Sequence, residues 1–496
     1  MANAADAKKT SLWKRLLPTA ITVGIVVDIF GWVLPQYIDY EVVFRETGNK
    51  AGSFSLPRLE HYGHDPAGRT RPDNQAGCRS AQRCSTWYTR LGFGCSLPSG
   101  GIRNSLVGMV ADLLGRRRMA EPKTDFPSLN PDDPTIDAWR TPREDLQGDR
   151  PPGLIDLSRY PMALGSHGIA TFLQRPVALT PADLKAAEVD VALVGAGLDF
   201  SGGMRGAAFG PRALRSHDMY LPNVAAGLPH THVMVDALTD LAIADYGDAA
   251  IDFESVHRSI EPVRAIVREI TETGTKPFVI GGDHALMYPD VAALADVYGK
   301  GKIGVVHFDA HYDAASFGIG HHLTHGTPIR KLIEQGHVSG HNFIQVGLRG
   351  YMPSGEDLAY MRDQGFRYHF MAEVERHGWD HVMERAIAEA LDGADYLYIS
   401  LDIDVLDPAY APGTGTPEPG GLTPRELFPL LRRLGAETNL VGAEMVELNP
   451  LVDPTYVTPL VANRAVREIL TGMAMRKTGV TEPHYLAPET VDHGND

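Results

Sequence analysis

The sequence predicts an α/β fold of three layers, α/β/α, with a mainly parallel central sheet, preceded by an irregular N-terminal extension. Three observations predict it. From about residue 190, short β-branched runs alternate with segments of helical periodicity. The runs are apolar throughout, as expected of strands that helices cover on both faces. Almost every polar cluster falls at the carboxyl end of a run, where open α/β sheets build their sites.

The N-terminal region reads differently from the rest. "KKTSLWKRLLPTAITVGIVVDIFGWVLP" places basic residues before an apolar stretch, but Asp28 interrupts it and Pro18 and Pro35 bracket it. The uninterrupted part is too short to span a bilayer, which argues against a membrane segment. "GHDPAGRTRPDNQAGCRSAQRC" is rich in Arg, Gly and Pro without periodicity, the composition of a linker or of sequence outside the working protein. "GRRRMAEPKTDFPSL" supplies Met119 where the composition changes, so the functional chain is expected to begin near there. The expected organisation is an extension over 1–118, an N-terminal arm over 119–189, the main domain over 190–480 and a tail over 481–496.

Within the main domain the predicted strands are "DVALVGAG", "KPFVIGG", "KIGVVHFDA", "NFIQVGLRG", "DYLYISLDIDV" and "NLVGAEMVEL". Val263, Ile266, Val267 and Ile270 mark one helix between them, and Met383, Ile387 and Leu391 another.

Composition excludes several function classes. The formal net charge of −16 argues against nucleic acid as a partner, because neutralising phosphates requires clustered Lys and Arg. An acidic surface suits a cationic small molecule. Cys78, Cys84 and Cys95 all lie in the extension, so chemistry in the main body uses no thiol, and a reduced, cytoplasmic setting is expected.

Three clusters carry the chemistry. "IGGDHA" places His284 after an apolar run. "VVHFDAHYDAASFG" places Asp309, His311 and Asp313 at alternate positions, so on an extended strand they share one face. In "SLDIDVLDPAYAPGTGTPEPGG", Asp402 and Asp404 share a face in the same way and Asp407 follows. Each acidic group alone would pass for an Asx-rich turn or a helix cap. Three such groups at separate strand ends point instead to a metal, since buried carboxylates without partners are costly. Two imidazoles and four carboxylates exceed one tetrahedral zinc site and favour Mn²⁺, with Fe, Co²⁺ or Ni²⁺ as alternatives. Two ions sharing carboxylates about 3.5 Å apart hold a bridging hydroxide, a nucleophile available at neutral pH. The predicted site is binuclear.

These three segments resemble the signatures of the ureohydrolase family, which includes arginase, agmatinase and guanidinobutyrase, and the resemblance runs from "GGMRGAAFGPRALR" to near residue 470. Ala285 stands where the family usually has Ser, which trims a hydrogen bond behind the metal. The resemblance implies that His284, Asp309, Asp313 and Asp402 bind one manganese, and that Asp309, His311, Asp402 and Asp404 bind the other. Asp309 and Asp402 would then bridge the ions and Asp407 would support them. It also implies that His325, in "GHHLTHGTPIR", shuttles protons, and that Glu447, in "AEMVELNP", pairs with a guanidinium. The implied reaction is attack of a metal-bridging hydroxide on a guanidinium carbon, giving urea and an amine.

"GTGTPEPGG" is in the agmatinase style, and the segment between Asp313 and His325 lacks the Ser/Asn-rich loop with which arginase holds an amino-acid carboxylate. The expected substrate is therefore agmatine or a similar guanidino compound, with guanidinobutyrate or a smaller guanidine as alternatives. A one-zinc deacetylase-type amidohydrolase is the rival of another chemistry, and the second-metal residue Asp404 speaks against it. A non-catalytic partner subunit of a ureohydrolase heteromer would be expected to have lost ligands, and here the set is complete. Family precedent implies a homo-oligomer, a trimer or hexamer.

Overall fold

Apolar β-branched runs separated by amphipathic helices leave one economical arrangement, a sheet sandwiched between helical layers, and the chain adopts it. A computed structural model describes residues 127, 129–160, 168–216 and 228–491. All of them lie in the unit that begins at Pro122. The apolar segment before Pro35, the three cysteines and Met119 lie outside the described residues.

The strands are β1 (Val191–Ala196), β2 (Ile243–Asp248), β3 (Lys276–Gly281), β4 (Ile303–Phe308), β5 (Val338–Leu348), β6 (Arg367–Phe370), β7 (Tyr396–Asp402) and β8 (Leu440–Val446). They form one eight-stranded sheet in the order β2-β1-β3-β8-β7-β4-β5-β6. Every pairing is parallel. The longer helices are α1 (Val256–Glu272), α2 (Met287–Tyr298), α3 (Gly355–Gln364), α4 (Trp379–Ala390), α5 (Pro424–Glu437) and α6 (Val457–Thr478).

Strand periodicity sorts the core into two layers. Phe278, Ile280, Val306, Ile399 and Met445 pack with residues of α4, α5 and α6 on one face. Val279 packs with Val263, Val267 and Ile270 of α1 on the other, where Val305 and Tyr398 also meet Val291 and Leu294 of α2. Both faces of each central strand are thus buried, which accounts for the absence of alternating polarity.

Local signals start the helices. The Ser255 side chain accepts from the Arg258 N–H at the head of α1. A reciprocal box between Thr423 and Glu426 opens α5. Val263, Val267 and Ile270 are buried as their spacing predicts, and so are Met383 and Ile387. Leu391 departs from the expected stripe: it is the residue after α4 and is exposed.

β2 and β6, the edge strands, carry no continuous apolar run. "RYHF" pairs with β5 alone, and "IADYGD" pairs with β1 and, beyond it, only through a short bridge of Asp245 to the 176–178 segment, so both are short and mixed in polarity. The 481–496 tail contains one short helical turn, Pro488–Val491.

Candidate metal centre

Four neighbouring strands, β3, β8, β7 and β4, deliver the polar residues to one end of the sheet. His284 opens a 3₁₀ turn after β3. Asp309 follows β4, Asp402 ends β7 and Glu447 follows β8. The sheet order therefore gathers residues that are far apart in the chain.

The way Asp309, His311 and Asp313 converge differs from the sequence expectation. β4 stops at Phe308, so the three do not share a strand face. The chain turns instead, and Asp313 sits at φ 41°. Glu447 likewise has φ 61°. Non-glycine residues in the left-handed region store strain, and these two of several such residues lie at this centre. Asp402 and Asp404 are also separated by a turn: the Asp402 side chain accepts from the Asp404 N–H at 2.8 Å and caps the 3₁₀ turn Ile403–Val405.

Asp309 is the hub. Its Oδ2 lies 3.0 Å from His284 Nδ1 and 3.0 Å from His307 Nε2. Its Oδ1 faces the other way, 3.3 Å from His311 Nδ1. His284 Nδ1 is also 3.2 Å from Asp313 Oδ2 and 3.2 Å from Asp402 Oδ2. His311 Nδ1 is 3.0 Å from Asp404 Oδ2. Two sets of ligand-type atoms result, one from His284, His307, Asp309 and Asp313 and one from Asp309, His311 and Asp404, each with its atoms within 4.8 Å of one another.

These close contacts are poor hydrogen bonds. His284 Nδ1, His307 Nε2 and Asp309 Oδ2 are buried and form no properly directed hydrogen bond among the described residues. Ring nitrogens and carboxylate oxygens that aim at a common point rather than at one another have this geometry, and it suits a cation between them. The donor set of imidazole nitrogen and carboxylate oxygen fits a divalent first-row metal.

Electrostatics agree. Burial opposes ionisation of Asp309, but His284 and His307 hold it well below the usual carboxylate range. Burial, with Asp404 and Asp309 adjacent, pushes Asp402 well up. Burial with Asp309 nearby also raises Asp404. Burial opposes the charged form of His311, yet Asp404 and Asp309 push it up to about 12. Without a metal the centre therefore retains protons to offset its crowded carboxylates; a cation would replace them.

Supporting contacts fix the ligands. The other nitrogen of His284, Nε2, lies 2.8 Å from Ser400 Oγ. His307 Nδ1 lies 3.0 Å from Gln345 Nε2. Ala285, completely enclosed, offers no hydroxyl here. Asp407 fastens its own loop, its carboxylate accepting from the Ala409, Gly420 and Gly421 N–H groups at 2.9, 2.7 and 3.3 Å.

His325 and Glu447 border the same space. Glu447 Oε1 accepts from the His284 N–H at 3.0 Å and lies 3.9 Å from His325 Nδ1. Glu447 Oε2 is buried without a partner among the described residues. Burial and the neighbouring Asp283 hold the Glu447 carboxyl well above its usual range. His325 Nε2 accepts from the Gly202 N–H at 3.1 Å, which joins the 199–206 loop to the centre.

The comparisons with known proteins point the same way. The arginase family's sequence profile matches residues 189–472. The chain belongs to the arginase family. This arginase-family hydrolase is 35% identical over 311 residues to the guanidinobutyrase of Pseudomonas aeruginosa, covering 61% of this chain and 92% of that one. Among solved structures it is similar to a hypothetical agmatinase from Burkholderia thailandensis, with a TM-score of 0.57, 30% identity, and 66% of this chain and 99% of that chain covered. It is also similar to a Trypanosoma cruzi formiminoglutamase solved with Mn²⁺, with a TM-score of 0.52, 27% identity, and coverage of 60% and 99%. The sequence-level resemblance to ureohydrolases, and with it the three-layer fold, is thereby established.

His307 escaped the sequence reasoning, although its signal was present: it precedes Asp309 by two residues, the same spacing that singled out His311 and Asp313. Arg349 escaped it as well. Its guanidinium donates to the carbonyls of Gly347, Asp404, Val405, Leu406, Glu418 and Pro419. A lone Arg after an apolar run carries no such signal.

Proposed function

We propose that this arginase-family hydrolase cleaves a linear guanidino compound of the agmatine or 4-guanidinobutyrate type to urea and an amine, at a binuclear Mn²⁺ centre. The observation that carries this is Asp309, which presents one carboxylate oxygen to the His284 set and the other to the His311 set. His284, Asp309, Asp313 and Asp402 would hold one ion, and Asp309, His311, Asp402 and Asp404 the other. Bound divalent cations supply an acidified water as nucleophile at neutral pH.

This chain's own residues provide the rest. Glu447, aimed inward with a free oxygen, orients the guanidinium and keeps its carbon turned toward the centre. His325, partly open to solvent at 3.9 Å from Glu447, delivers a proton to the departing amine, whose expulsion otherwise requires a poor leaving group. We further propose a cytoplasmic homo-oligomer, a trimer or hexamer, a reading supported by the absence of cysteine from the main domain and by the closed symmetry that most oligomers adopt.

The test is urea release by the Mn²⁺-loaded protein, with Ni²⁺ in parallel, from agmatine, 4-guanidinobutyrate, arginine and guanidine. Release from one substrate that Asp404→Asn lowers by at least a thousandfold supports the proposal. No release from any of them, with metal demonstrably bound, removes it.

A further inference from the structure

His307 sits among the ligand-type atoms of the centre, yet the side chain behind it decides what its ring can do. His307 of β4 and Gln345 of β5 are direct partners across the sheet, and both are fully enclosed. Gln345 Nε2 lies 3.0 Å from His307 Nδ1 and 3.0 Å from the Tyr312 carbonyl oxygen. A carbonyl oxygen only accepts, so the Gln345 atom facing it is the amide nitrogen. The amide turned over would set two oxygens 3.0 Å apart with no hydrogen between them. The second N–H of that amide faces His307 Nδ1. A hydrogen on Nδ1 would meet it head on, so Nδ1 accepts and the ring carries its hydrogen on Nε2.

A ring nitrogen that carries hydrogen has no lone pair to give a cation. His284 is set the opposite way: its Nε2 lies 2.8 Å from Ser400 Oγ, a hydroxyl able to accept, which leaves Nδ1 free for a cation. His307 Nε2 is therefore the member of the His284 set that cannot ligate. It lies 3.0 Å from Asp309 Oδ2, in a contact bent away from the N–H direction. A buried N–H needs an acceptor, and this carboxylate oxygen is at the right distance for one. Asp309 is also the residue whose two oxygens face the two sets, so whatever steadies its carboxylate steadies both.

We infer that Gln345 and His307 are positioning residues: Gln345 keeps the His307 hydrogen on Nε2, and that N–H steadies the Asp309 carboxylate instead of the ring binding a cation. This deepens the proposed binuclear centre and rests on it for the task that Asp309 performs.

Nuclear magnetic resonance of the protein labelled with ¹⁵N in its histidines reads the tautomer from the ring-proton correlations, after chelation and again after loading with ¹¹³Cd²⁺. The His307 signals are those lost in His307→Gln. In the wild type they are expected to show hydrogen on Nε2 and no coupling to ¹¹³Cd, while His284 couples through Nδ1. Gln345→Glu replaces the donor by an acceptor and is expected to move the hydrogen to Nδ1. Mn²⁺ affinity and melting temperature are measured for each variant, so that a loss of fold is seen as such. His307→Leu is expected to weaken Mn²⁺ binding about tenfold, and His307→Gln, which retains an N–H, to stay within about threefold of wild type. Hydrogen on Nδ1 of the wild type, coupling of its Nε2 to ¹¹³Cd, or equal losses of Mn²⁺ affinity in the two His307 variants would each overturn the inference. A wild type that binds neither cation while its His307 hydrogen stays on Nε2 would instead remove the binuclear centre and leave the Gln345 assignment standing.

Discussion

Single residues at this centre divide by what each atom faces. His325 touches Glu447 on one side and the Gly202 amide on the other, so its ring is positioned while its edge remains partly open. Proton delivery by such a group contributes about 10²–10⁴ in rate. His325→Ala is therefore expected to lower kcat by about a hundredfold or more without changing metal content; a rate within threefold of wild type would show that solvent supplies the proton. Legibility in the sequence follows the same division. Asp309, His311, Asp313, Asp402 and Asp404 stand in short repeated spacings that sequence displays directly. Arg349 is a single residue whose meaning comes mainly from carbonyls 55 to 70 positions further along the chain, and spacing cannot display that.

At the scale of elements, the centre depends on loops held by the strand ends beneath them. Arg349, just past β5, is buried and ties together the carbonyls of Asp404, Val405, Leu406 and Glu418. Burial lowers its affinity for its proton. Arg349→Met keeps much of the stem but leaves those carbonyls without donors. It is expected to cost about 2–4 kcal/mol of stability and to weaken metal binding about tenfold, because the turn that carries Asp404 loses its anchor. A melting temperature and metal affinity equal to wild type would show that the loop supports itself. The central strands were legible because their burial on both faces imposes continuous apolar runs. β2 and β6 were not, because an edge strand needs no such run. The convergence of Asp309 and Asp313 was predicted on wrong grounds: a strand face was expected, and a strained turn does the work.

The whole molecule carries a second buried charge network, remote in sequence from the ligands, that sets its tolerance of acid. Glu468 of α6 meets His230 Nε2 at 3.1 Å and Arg464 Nε at 2.8 Å, and it also pairs with Arg432 of α5. Burial opposes its charge, but His230 and the two arginines hold its pKa down to about 2 from an ordinary 4.5. A depressed folded-state value means stability present above pH 4.5 and lost as pH falls from there toward 2. The size is about 3 kcal/mol. Glu468→Gln should be less stable than wild type at pH 7, with the gap narrowing as the pH is lowered through that window; a constant gap between pH 7 and pH 3 would show that the carboxylate charge is immaterial. Among the described residues no helix is long and apolar enough to cross a membrane.

The most direct measurement is a metal titration of the chelated protein with urea release counted per chain. Stripped protein should release no urea, and activity should rise to a plateau at two equivalents of Mn²⁺, with a melting temperature that climbs in parallel as the cations bind the folded chain. Urea release that survives thorough chelation, or that reaches its plateau at one equivalent, would contradict a centre in which Asp309 serves two ions at once.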